Sequence, residues 1–188
     1  MHSQGMTHGN LKGVGLQGHR PLYLSLMGSP MKANVLIGQT GRACLTDFGL
    51  LTIASNAAGT VTFSNSVLEG GISWWMSPEL LFPQEFNLEI RGFTESSDCY
   101  ALGMAIYEVL SGKKPFSQYE GFAIVFSIHR GECPTRPQGA EGRWFTDNIW
   151  SMLECCWKRS PSDRPRVEEV LHCLEAHEAH GRLVSEDQ

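Results

Sequence analysis

The sequence predicts a mainly α-helical domain with one short β-hairpin in its amino-terminal half. The hairpin is predicted from two runs of β-prone residues, 35–37 and 43–46, which a glycine-bearing connection separates. The helical part is predicted from an apolar run over residues 98–110 and from two amphipathic segments farther along the chain. With 188 residues, the chain has the length of one domain that can bury a core.

The predicted hairpin brings two polar residues toward each other. Asn34 precedes the first strand, and Asp47 follows the second. In an antiparallel pair, the start of one strand lies beside the end of the other. Proximity of two such side chains is what a two-ligand metal site requires. The hairpin therefore predicts a two-ligand metal site formed by Asn34 and Asp47.

The apolar run at residues 98–110 predicts the central helix of the domain. Its side chains are apolar on nearly every face, and the run is too short to span a membrane. Asp98 is predicted to open this helix, Gly112 to end it, and Pro115 lies just beyond. A helix of this kind belongs in the middle of a core.

Three further helices are predicted in the carboxyl-terminal half. A short one is expected around residues 122–129, before Gly131, and a longer one begins near Val167. Between them, the next helix has either Thr146 or Asp147 as its N-cap. Its apolar residues recur at helical spacing: Phe145, Ile149, Met152, Leu153 and Cys156. The tail after His180 is polar and is expected to fray.

Composition excludes several classes of partner. The net charge of -5 is spread along the chain, so no basic stripe favours nucleic acid. No apolar stretch has the length of a membrane span, and no apolar leader follows Met1. The six cysteines form no C-x-x-C pair, and buried reduced thiols are expected. These observations predict an intracellular, cytoplasmic protein.

Several ordered motifs resemble those of the eukaryotic protein kinase domain. The segment from His8 to Lys12, with Asn34 after a gap, resembles the catalytic-loop pattern H-R-D-L-K-x-x-N. The other matching motifs follow in the family's order: Asp47-Phe48-Gly49, Trp75-Met76-Ser77-Pro78-Glu79, Asp98 and Asp163-Arg164-Pro165. The chain is similar in this way to the carboxyl-terminal lobe of such a domain.

The resemblance implies an α+β kinase-like fold, of which this chain is mainly the α-helical carboxyl-terminal lobe with its short β-hairpin. Residues 1–180 are then a partial kinase domain with an insertion at 14–32, and residues 181–188 are a polar tail. Cys156-Trp157, Pro161 and Arg164-Pro165 look like the tyrosine-kinase-like group, whereas Lys12 matches the serine/threonine type of catalytic loop.

The resemblance also implies a role for each matching residue. Asp47 and Asn34 would hold the Mg²⁺ ions that accompany ATP, and Lys12 would contact the transferred phosphate. The remaining matches are structural: His8 in the loop motif, Gly49 in a tight turn, Asp98 bonded to the catalytic-loop backbone, and an ion pair between Glu79 and Arg164.

Three departures from the family pattern affect activity. Asn10 stands where the catalytic Asp would accept a proton, and an amide supplies no useful base. Residues 14–32 separate Lys12 from Asn34. Nothing before His8 matches a Gly-rich loop or the lysine of the amino-terminal lobe, so only half of an ATP site is expected. Without that lobe, the core helix lacks a packing neighbour and is expected to expose an apolar face. In addition, Gly9 replaces the arginine of the loop motif.

Two functional interpretations follow from these features. In the first, the chain derives from a serine/threonine protein kinase that binds Mg²⁺ and ATP and acts on protein substrates, but is itself catalytically impaired. In the second, it is a pseudokinase-type module that binds protein partners, or an inactive gene-model fragment in which residues 14–32 are a translated intron.

Overall fold

The computed structural model describes most of the carboxyl-terminal half of the chain and short parts of the amino-terminal half. The described residues are 7–9, 11, 14–16, 34–37, 43–45, 72–87 and 93–186. The predicted roles of Asn10, Lys12, Asp47 and Gly49 fall on residues outside these ranges. Most of the predicted insertion is outside them as well.

Three short strands form one sheet in the order β1-β2-β3: β1 is Val14–Leu16, β2 is Val35–Ile37 and β3 is Ala43–Leu45. Strands β2 and β3 are antiparallel, with Val35 opposite Leu45, which confirms the predicted hairpin. Strand β1 pairs in parallel with β2 and was not predicted. It lies within the predicted insertion, so that segment does not begin as a loop.

Helices dominate the rest of the described chain: α1 is Pro78–Leu81, α2 is Glu95–Ser111, α3 is Phe122–His129, α4 is Asp147–Cys156 and α5 is Val167–Glu186. Short 3₁₀ turns cover Ile72–Trp75, Pro83–Phe86, Gly139–Gly142 and Pro161–Asp163. No helix in the described ranges is long and apolar enough to cross a membrane.

The central helix α2 begins one turn earlier than the sequence predicted. Thr94 is its N-cap, and a reciprocal pair of hydrogen bonds closes the capping box: the Ser97 N–H donates to Thr94 Oγ1, and the Thr94 N–H donates to Ser97 Oγ. Asp98 therefore lies inside the helix and does not open it. The predicted end is confirmed, because Gly112 adopts the left-handed conformation with φ of 69°.

The other predicted helices are confirmed with two refinements. Thr146 caps α4, since its side chain accepts a hydrogen bond from the N–H of Ile149. Helix α5 continues through Glu186, so the prediction that the chain loses helical structure after His180 was wrong. Its polar sequence is compatible with a helix because most of its residues are good helix formers.

Helix α2 lies in the centre of the core and packs against α4. Its buried residues include Cys99, Tyr100 and Met104, and they meet Leu153 and Cys156 from α4. The prediction that the cysteines are buried holds for Cys99 and Cys156, whereas the thiols of Cys44, Cys133 and Cys155 are exposed. No disulfide joins the described cysteines.

Candidate functional site

The candidate site is built on Asp98, whose carboxylate binds two backbone N–H groups from the start of the chain. Oδ2 accepts a hydrogen bond from the His8 N–H at 2.5 Å, and Oδ1 accepts one from the Gly9 N–H at 2.8 Å. His8 and Asp98 are both buried. Hydrogen bonds to a buried charge are among the stronger ones in proteins. The rigid central helix therefore positions the backbone immediately before Asn10.

Gly9 is suited to this position for a steric reason. Its φ is +69°, in the left-handed region, and a Cβ built there would lie 2.7 Å from Cγ of Phe93. The Phe93 ring thus packs directly on the Gly9 backbone. Any side chain at this position would clash with the ring and would strain the backbone. The packing around Gly9 therefore leaves no space for the arginine that the loop motif usually has at this position.

Asn34 lies at the start of β2 and is completely buried. The strand pair next to it is Val35 with Leu45, and Leu45 is two residues before Asp47. Leu45 therefore lies at the end of the hairpin where Asn34 lies, and Asp47 is outside the described ranges. An amide oxygen and a carboxylate oxygen are chemically suitable as ligands for Mg²⁺.

A buried ion pair lies near the start of α2. The Arg164 guanidinium binds the Glu79 carboxylate through two parallel hydrogen bonds, each of 2.7 Å. Both side chains are almost completely removed from solvent. The ring of Tyr100 lies 5.1 Å from the guanidinium carbon. The predicted contact between Glu79 and Arg164 is therefore present in the structure.

Arg164 also connects the ion pair to the helix that carries Asp98. Its NH1 donates to the carbonyl of Ser96 at 2.9 Å, and its Nε donates to the carbonyl of Lys158 at 2.8 Å. Ser96 lies in the first turn of α2, two residues before Asp98. A continuous set of contacts thus joins α1, the turn at Arg164, the start of α2 and the backbone at His8.

An apolar cleft of about 560 Å³ borders the same group of residues. Leu102, Ile106 and Val109 of α2 line one side of it, and Leu11 and Val35 contribute from the amino-terminal half. Val109 is 58% exposed, although it belongs to the central helix. This arrangement agrees with the expectation that the core helix presents apolar side chains to solvent.

Glu108 is an unusual residue of α2 that was not predicted from the sequence. This carboxyl group lies on α2 and is only 9% exposed, and its Oε2 atom has no hydrogen-bond partner. Burial raises the pKa of Glu108 to about 7, and the nearby Lys114 and Trp75 side chains lower it only in part. The observation that could have revealed it is the presence of a carboxylate in the middle of the apolar run of α2.

The buried Glu108 carboxyl makes stability depend on pH. Because its pKa is higher in the folded than in the unfolded chain, the folded state binds the extra proton between about pH 4.5 and pH 7. Its contribution to stability is thus present at low pH and is lost as the pH rises through about 7. We expect Glu108→Gln to stabilise the chain at pH 8 by roughly 2 kcal/mol, with a much smaller effect at pH 5.

Urea unfolding at a series of pH values measures this effect. Glu120→Gln is the matched control, because it removes the same charge from an exposed position. The control is expected to change the free energy of unfolding little at either pH. Equal effects of the two substitutions at pH 8 would show that burial does not perturb Glu108.

A family model described as protein tyrosine and serine/threonine kinase matches residues 31–174. This match covers more than half of the chain. The chain therefore belongs to the protein kinase family and contains a protein kinase domain sequence. Members of the family generally use ATP and Mg²⁺ to phosphorylate proteins.

Several curated proteins are similar to the chain. Mitogen-activated protein kinase kinase kinase 3 of Arabidopsis thaliana is 28% identical over 156 residues, which cover 83% of this chain and 22% of that protein. A probable serine/threonine-protein kinase of Dictyostelium discoideum is 29% identical over 142 residues, covering 76% of this chain and 14% of its own length. The cytokinesis protein sepH of Aspergillus niger is 28% identical over 171 residues, with coverages of 91% and 10%. The chain spans less than a quarter of the length of these relatives.

Proposed function

We propose that the chain is the carboxyl-terminal lobe of a serine/threonine protein kinase domain of the tyrosine-kinase-like group. Residues 1–180 would form this partial domain, with residues 14–32 as an insertion and residues 181–188 as its carboxyl-terminal extension. The family match supports the insertion because it begins at residue 31, close to the predicted end of that segment. The names of the similar kinases from Dictyostelium support the serine/threonine assignment.

The observation that carries this proposal is the bond between the Asp98 carboxylate and the N–H groups of His8 and Gly9. It holds the backbone that leads directly into Asn10 and Lys12, the positions that the family uses for the substrate hydroxyl and the transferred phosphate. A site for phosphoryl transfer requires accurate positioning more than covalent chemistry. A buried carboxylate on the central helix supplies such positioning.

Asn34 and Asp47 are the residues that would hold Mg²⁺. When bound, the metal neutralises charge on the phosphate groups of ATP. Asn34 would provide a neutral oxygen ligand from a buried position at the start of β2, and Asp47 would provide the charged one. Lys12 would place a positive charge beside the phosphate that is transferred.

Asn10 would impair this reaction. The side chain of Asn10 has nearly the shape of aspartate, but it cannot accept the proton of the substrate hydroxyl. General-base catalysis typically contributes about 10²- to 10⁴-fold to a rate. The insertion adds a second impairment, because it separates Lys12 from Asn34 along the chain. A longer protein that also carries a Gly-rich loop and its lysine would complete an ATP site, but it would still lack this base.

Transfer of labelled phosphate from ATP to a generic protein substrate tests the proposal. We expect the purified chain to show no turnover above background in the presence of Mg²⁺. The matched control is Asp47→Ala, which removes the charged metal ligand and should leave that background unchanged. Robust turnover that disappears in Asp47→Ala would overturn the proposed impairment. Turnover equal in both proteins would indicate a contaminating kinase in the preparation.

A further inference from the structure

Phe93 is the residue immediately before the N-cap of α2, and its backbone is fixed to that helix. The Thr94 N–H donates a hydrogen bond of 2.9 Å to Ser97 Oγ, which holds the peptide group that joins Phe93 to Thr94. The Ser97 N–H donates to Thr94 Oγ1 at 3.1 Å and closes the capping box. The half-buried side chain of Phe93 is thus presented from the rigid first turn of the central helix.

The two positions that usually form a hydrophobic staple both contact the segment from His8 to Gly9. In a staple, the residue before the N-cap packs against the fourth residue of its own helix. The fourth residue of α2 is Asp98, and its carboxylate accepts hydrogen bonds from the N–H groups of His8 and Gly9. The Phe93 ring packs on Gly9, where its Cγ and Cδ2 atoms would lie 2.7 and 2.8 Å from an added Cβ. The start of α2 therefore holds this segment at two points.

The ring and the carboxylate act on different parts of the same backbone. Asp98 binds the N–H of Gly9, but glycine has more accessible conformations than any other residue, so this bond alone does not select one of them. Gly9 has a φ of +69°. The Phe93 ring lies against the Cα side of Gly9 and excludes conformations that would carry the backbone into the ring. The two contacts together select the left-handed turn.

We propose that Phe93 is a positioning residue of the candidate site: its ring, together with the Asp98 carboxylate, holds the turn at Gly9 and so sets the direction in which the chain enters Asn10. This inference rests on the proposed function, since it takes the segment that leads into Asn10 as the catalytic loop. The contact between Phe93 and Gly9 is apolar and carries no charge, so this part of the positioning requires no bound anion.

Amide hydrogen exchange of the whole chain, resolved residue by residue, tests the role of Phe93. In Phe93→Ala, we expect exchange at His8 and Gly9 to accelerate by roughly tenfold or more, because local opening of this segment becomes easier. Exchange at Leu153, which is completely buried in α4, should change much less. Equal acceleration at Gly9 and Leu153 would show that Phe93 only stabilises the core, and would overturn the proposal.

Two milder variants at position 93 keep the test decisive if Phe93→Ala folds poorly. Phe93→Tyr keeps the ring and should retain the exchange rates of the unmodified chain at His8 and Gly9. Phe93→Leu keeps apolar volume but loses the planar ring, so it should accelerate exchange at the same two amides. Equal rates in Phe93→Tyr and Phe93→Leu would contradict a specific role for the ring.

A double-mutant cycle tests the contact itself, with exchange at His8 as the measurement. Gly9→Ala should displace the ring, so adding Phe93→Ala should have a smaller effect than Phe93→Ala alone. Gly131→Ala is the matched control, because Gly131 has a φ of +77° but nothing within 4 Å of an added Cβ. In that background, Phe93→Ala should keep its full effect. Independent effects of Gly9→Ala and Phe93→Ala would overturn the proposal.

These exchange rates are independent of phosphate transfer, so the two proposals can fail separately. Turnover by the purified chain would overturn the proposed impairment and would leave the selective effect of Phe93→Ala in place. An unchanged exchange rate at Gly9 in Phe93→Ala would overturn the positioning role of Phe93, whereas the proposed function would stand.

Discussion

Replacement of Arg164 by methionine is expected to lower the free energy of unfolding by about 3–5 kcal/mol, which is the usual cost of removing one partner of a buried ion pair. The substitution leaves the Glu79 carboxylate buried without its two 2.7 Å hydrogen bonds. It also removes the donors that reach the carbonyls of Ser96 and Lys158. The aliphatic part of methionine fills some of the space but supplies no hydrogen bonds.

Urea unfolding measures this loss, and Arg166→Met is the matched control. Arg166 lies two residues away, and its side chain is 77% exposed and 3.9 Å from Glu169. A surface pair of this kind contributes at most about 1 kcal/mol. The double variant Glu79→Gln with Arg164→Met removes the unpaired charge and should lose less than the sum of the single variants. Equal losses in Arg164→Met and Arg166→Met would contradict the assigned role of Arg164.

The helices could be predicted because their ends are encoded locally. Gly112 ends α2 in the left-handed conformation that glycine adopts most easily, and Thr146 supplies the cap of α4. The hairpin of β2 and β3 was predictable for a similar reason, since its two strands are close in sequence. In each of these elements, a few neighbouring residues determine both the conformation and its limits.

Strand β1 could not be predicted because nothing in its own three residues indicates a partner. Its parallel pairing with β2 joins Val14 to Val35 across a long stretch of chain, and no turn motif marks such a pairing. The early start of α2 was missed for a different reason. Thr94 and Ser97 form a capping box, but the usual glutamate or glutamine is replaced by serine.

The candidate site was predictable only in part. The contact between Glu79 and Arg164 spans 85 positions in sequence, and only the resemblance to kinases pointed to it. The packing of Phe93 on Gly9 depends on tertiary structure, so no local pattern could reveal it. Glu108 was different, because a carboxylate within an apolar helix is visible in the sequence itself. The roles of Asn10, Lys12, Asn34 and Asp47 stay predictions.

Replacement of Asp98 by asparagine is expected to lower the free energy of unfolding by about 3 kcal/mol, since hydrogen bonds to a buried charge are strong and a buried unpaired donor is costly. The carboxylate accepts from two N–H groups, at His8 and Gly9. Asparagine keeps one acceptor oxygen and replaces the other with an NH₂ group. One backbone N–H would then face a donor and lose its hydrogen bond.

The effect of Asp98→Asn should be concentrated at the start of the chain. Amide exchange of His8 and Gly9 is expected to accelerate by roughly tenfold or more, because their local opening becomes easier. Glu95→Gln is the matched control, since it makes the same change at an exposed residue one turn earlier in α2. If Asp98→Asn destabilised the helix but left exchange at His8 and Gly9 unchanged, the carboxylate would be a helix-stabilising group only. Selective acceleration at these two amides would instead show that α2 holds the backbone before Asn10 in place, as a catalytic-loop support must.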